Sequence, residues 1–191
     1  SNNNDTNKYA DKTVALSEGN NGAYVQNQPA KAEAKDGVLV VGPTGDYTLE
    51  KAIAAAQSGD TIVLAAGTYE VDRLNLSDKT DLTIQGAGMG KTILKNTDYI
   101  FNLNNGDCTG LTIKDLTLKS EGNTATLLKV GSNADCSGLT LENVAFEGGK
   151  YGIYLSNDAD PAVNALAKNI LIDNCQFSGM SYAGIYAQRG D

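Results

Sequence analysis

The sequence predicts an all-β protein: a right-handed parallel β-helix with an α-helix capping its N-terminal end. Three observations predict it. First, one nine-residue pattern recurs, as GLTIKDLTL at 110–118, GLTLENVAF at 138–146, NILIDNCQF at 169–177 and, more loosely, DLTIQGA at 81–87. With Leu82, Leu111, Leu139 and Ile170 taken as equivalent, the steps are 29, 28 and 31 residues, the range of a stacked repeat rather than of one closed core. Second, apolar and polar residues alternate within each copy, which is the two-residue period of a strand. Third, the segments 101–103, 128–130, 153–155 and 185–187 fall into line when the main repeats are aligned, and they alternate in the same way. Three short strands per turn of about 28 residues, stacked at roughly 4.8 Å, describe a coil.

Residues 1–35 lack the repeat and are polar, with Asn2, Asn3, Asn4, Asn20 and Asn21. They form an N-terminal arm with two strand-like segments, 12–16 and 23–25, which is either a tail or a segment that orders by pairing. The β-helix occupies 36–191. Val38 to Val41 is a short apolar run closed by Gly42 and Pro43, hence the first strand. Residues 48–57 are the one convincing helix: Thr48 can cap it, Glu50 lies in its first turn and Gly59 follows its end. Its apolar face, Leu49, Ile53 and Ala56, suits a plug over the open first coil, where backbone and core would otherwise be uncovered. In the repeats, Asp115, Asn143 and Asn174 share one position. Short side chains that bond local backbone and tolerate a left-handed conformation are what a bend between two strands needs. The run 156–168 is the longest excursion between aligned strands, and it accounts for the 31-residue step.

The opening coils, GDTIVLAAGTY at 59–69 followed by LTIQGAG at 82–88 and TIL at 92–94, resemble those of the pectate-lyase-like superfamily. The resemblance covers about residues 36–191 and implies the parallel β-helix. Function does not follow from it, because that fold carries lyases, hydrolases, esterases, spikes and adhesins. A catalytic lyase of the family would carry a calcium-binding Asp cluster beside an Arg that takes the proton. Here the only arginines, Arg73 and Arg189, lie outside the family's Arg motif. A polygalacturonase-like site would need an Asn-Thr-Asp strand, an Asp pair and a His, and the His is missing. The chain contains no His at all, which removes the usual general base and the serine and cysteine triads. No catalytic residue is assigned.

Several clusters remain candidates. On the third strand the outward positions place Lys129, Tyr154 and Tyr186 in one column, with Asn102 below and Ser156 and Gln188 beside it. Such a column suits either a sugar platform or a plain aromatic ladder. Asp158 and Asp160 form either a carboxylate pair of the hydrolase kind or a solvated turn before Pro161. Cys108 and Cys136 occupy identical places in NGDCTG and NADCSG, so stacking sets them one above the other, as a disulfide or as buried thiols. Asp107 and Asp135 stack likewise and are turn caps or, alternatively, calcium ligands. Cys175 falls at an inward position, as a small core hydrophobe. Residues 189–191 spell the Arg-Gly-Asp tripeptide that integrins bind, a short and weakly specific match.

Composition bounds the rest. The chain of 191 residues has 15 basic and 23 acidic residues, a formal net charge of -8, which argues against nucleic acid or an anionic membrane surface as partner. No run of 18 or more apolar residues is present, so no membrane span is expected. The start, on Ser1 rather than Met, is either a processed mature end or an artificial boundary, and its Asn-rich composition suits an extracellular or cell-surface protein whose leader has gone. The expected function is structural or adhesive, without catalysis, with subunits stacking head to tail through the arm. The alternative is the first part of a larger polysaccharide-binding or polysaccharide-cleaving β-helix.

Overall fold

A computed structural model describes residues 37–43 and 47–189; the arm at 1–35 lies outside the described residues. The chain opens with β1 (Val38–Val41) and α1 (Leu49–Ala55), and then winds through β2 (Thr61–Leu64), β3 (Gly67–Glu70) and β4 (Leu74–Asn75). The next coil is β5 (Thr83–Gln85), β6 (Thr92–Lys95) and β7 (Phe101–Asp107). Two regular coils follow: β8 (Thr112–Ser120) with β9 (Thr126–Asp135), and β10 (Thr140–Gly148) with β11 (Tyr151–Leu155). A short α2 (Pro161–Asn164) precedes β12 (Leu171–Asp173), β13 (Gln176–Ser178) and β14 (Ala183–Ala187). Every strand pair is parallel. One sheet runs β1-β2-β5-β8-β10-β12, with β3, β6 and β13 continuing its bent second face; the other runs β4-β7-β9-β11-β14.

The register matches the repeat alignment. Leu111 and Leu139 are buried, and the residues that follow them pair directly, Thr112 with Thr140 and Ile113 with Leu141. Inward positions form continuous columns from coil to coil. One is Leu39, Ile62, Ile84, Ile113, Leu141 and Ile172; a second is Tyr69, Leu94, Leu118, Phe146 and Phe177; the third is Leu74, Phe101, Leu128, Ile153 and Ile185. Each side chain therefore buries apolar area against its counterparts above and below, about 25 cal/mol for each Å² removed from water. Phe146 and Phe177 stack with centroids 4.6 Å apart and planes 5° from parallel.

The corner residues act as the sequence implies. Asp115, Asn143 and Asn174 have φ of 60°, 53° and 51°, the left-handed region. Their side chains form a ladder, Asn143 Nδ2 donating to Asp115 Oδ1 at 3.0 Å and Asn174 Nδ2 to Asn143 Oδ1. The bend is tight enough for β8 and β10 each to run through it as one strand, so two of the three faces belong to a single sheet.

Helix α1 is shorter than the 48–57 read from the sequence, because Ala56 already turns into extended backbone. Thr48 caps it by accepting from the Lys51 N–H at 3.2 Å. It buries Leu49, Ala52 and Ile53 and touches both β1 and β4, the first strand of each sheet, so it closes the N-terminal end of the stack. Lys79, one coil away, donates from Nζ to the Ala54 and Ala56 carbonyls at 3.2 and 2.9 Å, which satisfies acceptors the helix end leaves open. At the other end of the described coils Ile172 and Ile185 are 36% and 46% exposed although both point inward.

Candidate functional site

The outward column of the second sheet is the most developed feature of the surface. Asn75, Asn102, Lys129, Tyr154 and Tyr186 lie in strict register across β4, β7, β9, β11 and β14. Their neighbours on each strand, such as Ile153 and Leu155, are buried, so the alternation drives these side chains outward. Tyr154 and Tyr186 stack at 5.1 Å and 13°, and Tyr154 Oη donates to Gln188 Oε1 at 3.3 Å. Asn102 Nδ2 donates to Asn75 Oδ1 at 2.9 Å. The structure thus brings together Lys129, Tyr154 and Tyr186, the three residues expected to share a column.

It also adds residues that the column did not include. Tyr151 meets Tyr154, Tyr186 and Tyr182 at centroid distances of 4.9, 5.4 and 5.2 Å, and Tyr182 meets Tyr186 at 5.7 Å. The Lys150 ammonium lies 5.3 Å from the Tyr151 ring centre and 5.7 Å from that of Tyr182. Further down the face Lys129 Nζ sits 5.0 Å from the Tyr99 ring centre and contacts its hydroxyl at 3.4 Å, while the Arg73 guanidinium covers that ring at 4.2 Å and pairs with Asp98. Such cation and ring contacts contribute about 0.5–1 kcal/mol each at exposed sites. Burial, with smaller contributions from the neighbouring phenols, holds the Tyr154 hydroxyl above its ordinary pKa. The only signal for two of the missed residues was the recurrence of a Tyr pair, Tyr151 with Tyr154 and then Tyr182 with Tyr186, which does not fix the direction of Tyr151 or Tyr182 because the register sets Tyr151 against Ala183.

The carboxylates are placed apart from this face in their roles. Asp158 Oδ1 accepts from Asp160 N–H at 2.9 Å, and Asp160 Oδ1 accepts from Ala162 N–H at 2.9 Å as the cap of α2, a helix that the sequence did not suggest. Asn164 closes the loop by bonding the Asp158 backbone on both sides, at 2.6 and 2.7 Å. Asp107 and Asp135 each accept a backbone N–H two residues on, from Thr109 at 3.1 Å and Ser137 at 3.0 Å. Local turn bonding thus employs an oxygen on all four, and no group of three or more His, Cys, Asp or Glu gathers as a metal site among the described residues.

Cys108 and Cys136 are fully buried free thiols on adjacent coils, both pushed up to about 11, chiefly by burial. Cys175 sits above Val144 as expected, but it is only half-buried, since no described coil covers it. Of the Arg-Gly-Asp match only Arg189 is among the described residues, Gly190 and Asp191 lying outside them; the Arg189 side chain is 6% exposed and donates to the carbonyls of Val163, Gly131 and Ala134 at 2.9, 3.0 and 2.5 Å. A guanidinium folded into three backbone carbonyls cannot reach out to a receptor carboxylate.

A family model described as a right handed beta helix region matches residues 99–191, just under half of the chain. The fold is a right-handed parallel β-helix. The resemblance of its opening coils to the pectate-lyase-like superfamily is consistent with this match. The comparisons of this chain with curated proteins and with solved structures found no match. No helix among the described residues is long and apolar enough to cross a membrane.

Proposed function

We propose that this chain is an extracellular, non-catalytic adhesive β-helix that holds polysaccharide on its tyrosine face. The observation that carries the reading is the array of Tyr151, Tyr154, Tyr182 and Tyr186 on a flat parallel sheet, with Lys129 and Lys150 at its margins. Tyrosine offers an apolar ring to the C–H face of a sugar and a hydroxyl to its rim, which is why the residue recurs where one side of a contact is apolar and the other wet. Beside the rings Gln188, bonded to the Tyr154 hydroxyl, supplies a further amide, and the exposed Asn75 lies further down the same column. The absence of His from the sequence and the engagement of Asp158 and Asp160 in their own loop support binding without cleavage.

The test is to mix the full chain with insoluble polysaccharides of several chemistries and to measure both protein left in solution and sugar released. Depletion by at least one polysaccharide without soluble fragments is expected. Release of fragments would make the protein an enzyme, and no depletion by any of them would remove the adhesive reading.

End-to-end assembly is a second reading, favoured by the exposure of Ile172 and Ile185 at the last described coil. A further coil laid there, from this chain or from a second copy, would bury them. In the assembly reading a second copy does so, and its residues 1–35 supply the covering strand. Electron microscopy of the full chain should show filaments that disappear when the chain starts at residue 36; short particles in both samples would remove this reading.

A further inference from the structure

The four tyrosines are also close enough to react with one another. Tyr151 and Tyr154 lie on β11 and Tyr182 and Tyr186 on or beside β14, so every contact between the two pairs crosses from one coil to the next. Three such contacts exist, with centroids at 5.1, 5.2 and 5.4 Å, and two of them are tilted by 47° and 61°, which brings ring edges closer than ring centres. Tyr182 is 62% exposed, a point of entry for a one-electron oxidant. Competing sinks are few. The chain has no Trp, Cys108 and Cys136 are buried and protonated, and the half-buried Cys175 is the one accessible thiol.

We propose that this cluster is an oxidative cross-linking site, at which a dityrosine bond ties the coil of β11 to that of β14. The co-reactant is hydrogen peroxide acting through a haem peroxidase. Each of two phenols gives up one electron and one proton, and the peroxide takes both pairs and leaves as two waters. The two phenoxyl radicals join through ring carbons ortho to oxygen. The carbon-bound hydrogens then move to the oxygens through solvent, which restores both phenols, so the protein loses two hydrogens in total. The same four rings can serve a glycan and a cross-link, but the chemistry does not depend on glycan binding.

The sequence makes the test direct, because trypsin separates residues 151–168 from 169–189. Dilute full-length protein is treated with peroxidase and limiting peroxide, and the monomer is digested. The expected result is a chain lighter by two hydrogens, with dityrosine fluorescence, that yields 151–168 joined to 169–189. Proximity within one molecule should make this link outrun coupling between chains. Replacing both Tyr151 and Tyr154 with Phe keeps the rings but leaves no phenol in 151–168, so it should abolish the link between the two peptides. Links found only between chains, links through Tyr9 or Tyr24, or oxidation that leaves the two peptides separate would each overturn the proposal.

Discussion

At the scale of single residues, the corners are where side-chain identity matters most. Asn143 holds φ at 53° and hands its amide along the ladder between Asp115 and Asn174. Asn143→Ala should lose both features, costing about 1–2 kcal/mol for the left-handed backbone alone; Asn143→Gly, which keeps the backbone free, should cost less. Urea unfolding of the two variants checks the order, and equal losses would show that the ladder rather than the conformation dominates. Gly148 is a stricter case: at φ 80° an added Cβ would run into the Ser120 carbonyl, so Gly148→Ala should destabilise by more than about 1 kcal/mol.

Buried thiols give a pH dependence at the same scale. Burial raises Cys108 and Cys136 to about 11, whereas the unfolded chain releases these protons nearer 9. Between those values the unfolded state binds fewer protons than the folded one, so stability is complete below about pH 9 and falls as pH rises toward 11. Tyr69, buried and raised in the same direction, adds to the fall above its ordinary value. Melting curves from pH 8 upward should show the decline, and replacing both cysteines with Ala should shallow it. In native protein at neutral pH, Cys175 should alkylate well before Cys108 and Cys136.

At the scale of elements, periodicity made the repeats legible because three columns of alternate residues must all face one narrow interior. A slip of one residue would turn Ile113 and Leu141 outward together. The same logic gave α1, whose cap and apolar face are local. It did not give α2, because Asp160, Pro161 and a four-residue turn look the same as any polar loop until Asn164 folds back on Asp158. Only part of the tyrosine face could be read in advance. Tyr154 and Tyr186 follow from strand register, but Tyr151, Tyr182, Lys150 and Tyr99 reach the face from strand ends and turns, where no period fixes direction. Arg189 was opaque for another reason: its partners are backbone carbonyls, which carry no sequence signal. For α1 the expectation is concrete. Ile53→Ala should cost about 2–5 kcal/mol as a core deletion, and Thr48→Ala about 1 kcal/mol as a lost cap, both measurable by chemical unfolding.

At the scale of the whole molecule, each coil contacts mainly its neighbours, so a flat, regular outer face costs the core nothing and can vary freely. The coils hold the tyrosines in register at the spacing of the sheet, and the adhesive reading depends on that rigid display. The most direct measurement is affinity electrophoresis of the full chain through gels containing the polysaccharide that depletes it from solution, beside a variant in which Tyr151, Tyr154, Tyr182 and Tyr186 are all Ala. With the β-sheet circular dichroism of the two proteins equal, retardation of the parent chain and free migration of the variant is the predicted result; equal retardation of both would place binding elsewhere and contradict the account.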